Sequence, residues 1–269
     1  MRITKYQELD KFVKMFAEKK ANLIIIKSKA GLGKTSSVLR TLKGEDFYFI
    51  NSHVTPLQFY KDIYTNIGRP ILIDDVDNLL TSKISVSLLK QICGTEETKT
   101  IQYHSTSPAS ADVPMSFTTN SNVLILCNEF DVKNENIRAL IDRGFYVSFE
   151  PSIEEVLTKM TEITNKYPHL QLDDRVKVLN FIKRNAKYGK DISLRTLIKA
   201  FQIFEFDQAN WKRITLELMN IDQRMIEIVG LVEQYDNDKV RIQHFSGSKA
   251  TYYRLKKGLK NGEQQKRSS

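Results

Sequence analysis

The chain has 269 residues, 41% hydrophobic and 27% charged, with a formal net charge of +9. Those proportions predict a soluble globular protein of one large domain or two to three small ones. With only Cys93 and Cys127, no run near the ~18 apolar residues of a membrane span, and no apolar signal core in Met1-Arg2-Ile3-Thr4-Lys5, the expected setting is a reducing cytoplasm without membrane contact.

Leu9, Phe12, Val13 and Phe16 recur at helical spacing, which predicts an amphipathic helix over residues 5–20. The apolar run Leu23-Ile24-Ile25-Ile26 predicts a buried strand over 22–27. Ser28-Lys29-Ala30-Gly31-Leu32-Gly33-Lys34-Thr35 follows it, and Ser36 continues into a helix predicted over 34–42. Strand, glycine loop and helix start, with Lys-Thr at the junction, is the geometry of a nucleoside-triphosphate phosphate cradle. Backbone N–H groups of the loop and the helix N-terminus supply partial positive charge. Lys34 would reach the β- and γ-phosphates and the Thr35 hydroxyl would hold magnesium. Ser28 stands where the pattern has glycine.

Further strands are predicted at 47–50, at 70–73, which runs into Asp74-Asp75, at 98–104, at 122–127, which runs into Asn128, and at 145–149. Helices are predicted at 56–67, with Pro56 in a tolerated first-turn position, at 81–92 and at 134–142, which ends near Arg138 and Arg143. Residues 108–114 read as a polar loop. Strands alternating with helices imply an α/β fold, a parallel sheet with helices on both faces. Ligands of such sheets bind beyond the carboxyl ends of the strands. Asp74 there suits magnesium, Asp75 could polarise an attacking water, and Asn128 could hold that water or the γ-phosphate.

Beyond Pro151 the pattern is all-α, with helices at 152–166, 173–187 and 193–206, the third opened by Ser193-Leu194-Arg195. The expected organisation is an α/β domain at 1–150, a helical lid at 151–207, a small basic helical domain at 208–260 and a disordered tail at 261–269. Residues 238–269 hold nine Lys and Arg against Asp238 and Glu263, most of the net charge of the chain. Such concentration points to a polyanion, nucleic acid first. Residues 238–245 and 249–259 read as two helices around Ser246-Gly247-Ser248, the outline of a helix-turn-helix. In the second helix, Thr251, Tyr252, Arg254 and Lys257 would face bases, with Lys249 and Lys256 on phosphates. Double- and single-stranded DNA both remain open.

From residue 1 to about 207 the series resembles an AAA+ ATPase. That family's phosphate loop reads GxxGxGK[ST], which Gly31, Gly33, Lys34 and Thr35 match and Ser28 does not. Ile71-Leu72-Ile73-Asp74-Asp75 resembles its Walker B strand, with Asp75 where the family has Glu. The resemblance puts Asn128 at sensor 1, Arg143 at the arginine finger that acts across a subunit boundary (with Arg138 the other candidate), and Arg195 at sensor 2. Thr55-Pro56-Leu57 through Tyr60, with Asp74-Asp75-Val76-Asp77, resembles ATPases common in phage and plasmid genomes. What it implies is ATP and Mg2+ as cofactors, hydrolysis at the interfaces of a homo-oligomer, and DNA-directed work in replication. The family roles nearest to this are helicase loader and initiator, with a helicase or other replication protein as a further partner. Two other readings stay open. One is an ATP-controlled DNA-binding regulator or transposition-type switch with slow hydrolysis, which Ser28 and the shorter Asp75 favour. The other is a protein remodeller whose basic end docks an acidic protein.

Overall fold

Residues 23–26 show how the sheet is built: Leu23 and Ile25 belong to one hydrophobic cluster, Ile24 and Ile26 to another, and all four are fully buried. A strand buried on both faces needs helices on both sides, the arrangement of a parallel sheet. In the computed structural model, which describes residues 1–104, 112–129 and 132–264, that sheet is present. Its strands come from a series of eight among the described residues: β1 (Arg2–Ile3), β2 (Leu23–Lys27), β3 (Tyr48–Ile50), β4 (Ile71–Asp74), β5 (Lys99–Gln102), β6 (Ser116–Thr119), β7 (Val123–Cys127) and β8 (Phe145–Phe149). Six of them form an all-parallel sheet in the order β1-β8-β2-β7-β4-β3.

Helices α1 (Tyr6–Ala17) and α2 (Lys34–Thr41) cover one face, bringing Leu9, Val13, Phe16 and Val38 against Ile24, Ile26, Leu72 and Leu124. On the other face α3 (Pro56–Thr65), α4 (Asp77–Thr81), α5 (Lys83–Ile92) and α6 (Glu135–Ile141) bring Phe59, Ile63, Leu79, Leu89 and Leu140 against Ile25, Ile73 and Ile125. Each fully buried aliphatic side chain contributes roughly 1.5–3 kcal/mol, so the two clusters hold the strand ends rigidly. Cys93 and Cys127 are buried free thiols, as small core residues should be.

Three details differ from the sequence expectation. The helix expected at 81–92 is broken at Ser82, whose hydroxyl accepts from the Ser85 N–H at 3.3 Å and starts α5 afresh. The segment 98–104 does hold a strand, but β5 pairs antiparallel with the unexpected β6, outside the main sheet. Both alternate buried and exposed residues, so each has one core face only, unlike the doubly buried parallel strands. Of the polar loop expected between them, 108–111 lie outside the described residues. β1, only two residues long, is too short for periodicity to reveal.

The chain divides into two compact units, Met1–Glu155 and the part from Val156 onward. The helices beyond β8 are α7 (Ile153–Lys166), α8 (Leu172–Asn185), α9 (Leu194–Phe206), α10 (Trp211–Leu218), α11 (Gln223–Gln234), α12 (Asp238–His244) and α13 (Lys249–Gln264). Trp211 anchors this unit, its ring edge-on to Phe181 at 4.9 Å and Phe204 at 5.2 Å. α13 continues to Gln264, into the segment expected to be a disordered tail, and 265–269 lie outside the described residues. Among the described residues no helix is long and apolar enough to cross a membrane.

Candidate nucleotide site and basic helix

Register brings the site together. β2 and β7 pair with Lys27 opposite Cys127, and β4 pairs with β7 with Asp74 opposite Leu126. Ser28, Asp75 and Asn128 therefore leave the same edge of the sheet, at the carboxyl ends where parallel sheets bind ligands.

After β2 the chain turns through Gly31 and Gly33 at φ of 82° and 75°, the left-handed region that glycine enters without steric cost. Gly33 is the N-cap of α2 and brings no capping side chain. The first N–H groups of that helix are left to face an anion. Ser28 does not share this backbone: its φ is not positive, and its N–H donates to the Cys127 carbonyl at 3.1 Å, continuing the sheet. The first loop position in this chain therefore has no steric need for glycine. Lys29, Ala30 and Ser36 are exposed, and Leu32 is half-buried.

Lys34 is only 5% exposed. Its ammonium donates to the Cys127 carbonyl at 2.8 Å and to Asn128 Oδ1 at 3.2 Å. The other end of the Asn128 amide donates to Asp75 Oδ1 at 2.9 Å. Only this orientation gives the cation an oxygen and the carboxylate an N–H. Asp75 itself has φ of 53°, with its N–H held by the Leu126 carbonyl at 3.1 Å. A non-glycine residue in that region marks stored strain, which concentrates at functional sites.

Thr35 Oγ1 donates to Asp74 Oδ2 at 2.7 Å. Asp74 is 7% exposed, and its Oδ1 is buried with no hydrogen-bond partner. Burial pushes its carboxyl above the usual range; the Thr35 hydroxyl pulls it down, Asp75 raises it and Lys34 lowers it. A buried carboxylate oxygen without a donor costs about 1–3 kcal/mol or more. A hard divalent cation beside Asp74 and Thr35 would remove that cost, so these residues fit Mg2+, which takes few protein ligands and completes its shell with phosphate and water. No group of three or more His, Cys, Asp or Glu suited to a metal occurs among the described residues.

The arginines are carried by other elements. Arg143 follows the end of α6, half-buried, with its guanidinium donating back to the Ala139 carbonyl. Gly144 beside it admits no side chain, since a Cβ would collide with the Leu23 carbonyl oxygen. Arg138 is exposed on α6, and Arg195 is exposed in the first turn of α9, in the second unit.

The basic end is a small helical module with its own core of Ile228, Leu231, Phe245 and Tyr252. α12 and α13 do flank a tight turn, and Ser248 accepts from the Thr251 N–H at 3.1 Å to start α13. Two of the expected DNA-facing residues point elsewhere. Tyr252 is fully buried, its hydroxyl donating to Asp238 Oδ1 at 2.9 Å. Lys256 is engaged by the same carboxylate, which Arg241 also holds at 2.9 Å. The Lys256 hydrogen bond is the largest influence that brings Asp238 down to about 2. Thr251 is half-buried with its hydroxyl 2.9 Å from Ser248 Oγ. Lys249, Arg254 and Lys257 are exposed.

Sequence reasoning missed Tyr253 and Tyr6. Tyr253, 46% exposed, falls four residues after Lys249 and four before Lys257, on the outward face. The spacing of Tyr252 to Leu255, the inward pair, was the available signal. Tyr6 reads from the sequence only as part of an amphipathic helix, yet its hydroxyl donates to the Leu32 carbonyl in the loop at 2.8 Å.

No family model matches the chain. A curated relative is an uncharacterized 36.7 kDa protein of Enterobacteria phage T4, from the nrdC–mobD intergenic region, 23% identical over 216 residues. That match covers 71% of this chain and 66% of the phage protein's length. Among solved structures, a proline-to-glycine mutant of Thermotoga maritima RuvB superposes with a TM-score of 0.52 at 12% identity, covering 93% of this chain and 88% of that one. The likeness is one of fold: a six-stranded parallel sheet flanked by helices and followed by a helical C-terminal region.

Proposed function

We propose that the protein is an ATP hydrolase of the AAA+ type whose C-terminal helical module engages DNA, in the manner of a helicase loader or initiator in replication. The observation that carries the ATP reading is the convergence of Lys34, Thr35, Asp74, Asp75 and Asn128 at one sheet edge, hydrogen-bonded as a Lys34–Asn128–Asp75 chain and a Thr35–Asp74 pair. On this reading the loop N–H groups and Lys34 bind the phosphates. Thr35 and Asp74 hold Mg2+, which when bound neutralises charge on the phosphate oxygens. Asp75 orients the attacking water, and Asn128 holds both Asp75 and Lys34 in place. Phosphoryl transfer asks for little beyond such positioning and charge.

Arg143 is the candidate for completing a neighbouring copy's site in a homo-oligomer. Its place at the end of α6, fixed by the close approach of Gly144 to β2, supports that role. DNA contact rests on Lys249, Tyr253, Arg254 and Lys257, exposed along α13. Steady-state ATP hydrolysis with and without DNA tests the whole: DNA should change the rate, and Arg143→Ala should lower it. A rate that responds to neither would sink the intersubunit motor. The second reading, an ATP-controlled switch that hydrolyses slowly, is favoured by one observation. Asp75 is a short carboxylate already engaged by Asn128 at 2.9 Å; a turnover slow enough to leave ATP bound for minutes would select it.

A further inference from the structure

Tyr6 joins three parts of the first unit. Its ring, 6% exposed, packs edge-on against Phe149 at the end of β8, with centroids 5.1 Å apart. Its backbone N–H donates to the Glu155 carboxylate in the first turn of α7 at 3.3 Å. With ring and backbone held, the hydroxyl is directed at the Leu32 carbonyl, 2.8 Å away in the middle of the phosphate loop.

A trans peptide group is planar, so its C=O and N–H point in opposite directions. Holding the Leu32 carbonyl against Tyr6 therefore turns the Gly33 N–H away from α1. In a phosphate cradle the working donors are successive backbone N–H groups, and a donor already aimed needs no reorganisation when the anion arrives. Gly33, at φ of 75°, flanks this peptide on one side with a backbone that gives no side-chain resistance to rotation, and Gly31, at φ of 82°, frees the chain on the other side of Leu32. Glycines make the turn possible but do not hold it. An external hydrogen bond can.

We infer that Tyr6 is a positioning residue for polyphosphate: its hydroxyl presets the Leu32–Gly33 peptide so that the Gly33 N–H faces the β-phosphate. The inference rests on the reading of residues 28–35 as a nucleotide cradle. It adds a residue from outside the loop motif and a preference for nucleotides that carry a β-phosphate.

Tyr6→Phe keeps the ring against Phe149 and removes only the hydroxyl. In the full chain, ATP and ADP should bind about five- to ten-fold more weakly, the effect of one loosened hydrogen bond, while AMP affinity stays as in wild type. A merely structural role would weaken all three alike. Lys34→Ala serves as the control. If Lys34→Ala leaves ATP affinity intact, the cradle reading itself falls. If Lys34→Ala weakens ATP but Tyr6→Phe does not, or if Tyr6→Phe weakens AMP equally, the role of Tyr6 is overturned and the cradle stands.

Discussion

At the end of β4, Asp74 is buried beside Thr35 with one oxygen lacking any donor; at the start of α12, Asp238 has both oxygens engaged by Arg241, Tyr252 and Lys256. Their acidities move apart accordingly, Asp74 upward through burial and Asp238 down to about 2 chiefly through Lys256. The saturated carboxylate belongs to the fold, because its partners are all within the module. The unsaturated one is under-coordinated by the fold alone, and that suits a residue whose partner comes from solution. Charge counted along a sequence does not separate the two cases. The number of donors around each carboxylate does.

The comparison breaks most visibly at Asp74. Asp74→Asn should abolish Mg2+-dependent ATP turnover, a loss of roughly 100-fold or more if cation placement contributes several kcal/mol. The same change should raise the nucleotide-free melting temperature at pH values where the wild-type carboxyl is forced to ionise in the fold. The sign follows from linkage: with a raised folded pKa, the folded state holds its proton longer than the unfolded chain, so stability falls as pH rises through that value. A variant that melts lower and keeps its turnover would place the cation elsewhere.

Asp238 should behave in the opposite way. Asp238→Ala leaves Arg241, Tyr252 and Lys256 without their acceptor and should destabilise the C-terminal module by about 1–3 kcal/mol in chemical denaturation, with ATP affinity unchanged. Its folded pKa of about 2 lies below the unfolded value of about 3.9. Its contribution is therefore complete at neutral pH and disappears as pH falls from about 4 towards 2. An acid titration of wild type and variant that converged nowhere in that window would contradict the network.

Smaller effects sharpen the outward face of α13. Replacing Arg254 and Lys257 together by Glu should flatten the dependence of log DNA affinity on log salt by about two, close to 0.9 for each phosphate that is no longer neutralised. Tyr252→Phe, by contrast, should lower stability by about 1 kcal/mol and leave DNA affinity alone. If it weakens DNA binding instead, Tyr252 is exposed when DNA is bound and the inward placement does not describe the complex.

The first unit was readable because its chemistry is local: five consecutive apolar or turn positions announce a strand end, and the Gly-x-Gly-Lys-Thr run can do little else. Asp74 and Asn128 were singled out by the same logic, Asp74 as the polar residue that closes a doubly buried strand and Asn128 as the first polar residue after one. What stayed hidden depends on contacts distant in sequence. No pattern says that the Tyr6 hydroxyl meets Leu32, 26 residues away, or that Asp238 collects three donors from α12 and α13. β6 escaped because Ser116, Thr118 and Thr119 are weakly apolar, and its pairing with β5 crosses a thirteen-residue connection, 103–115. At Tyr252-Tyr253 two identical side chains sit side by side, and only the helix rotation decides which one is wet.

The two cysteines offer an experimental opening. Both thiols lie inside the first unit, and burial pushes Cys93 up to about 12, far from the thiolate form that reacts with maleimides and iodoacetamides. The wild-type chain should therefore take up dye only on unfolding. A cysteine introduced at exposed Lys249 or Arg254 would label alone, without first stripping the native thiols. Time-resolved fluorescence from that single dye could then follow the basic helix as nucleotide is added.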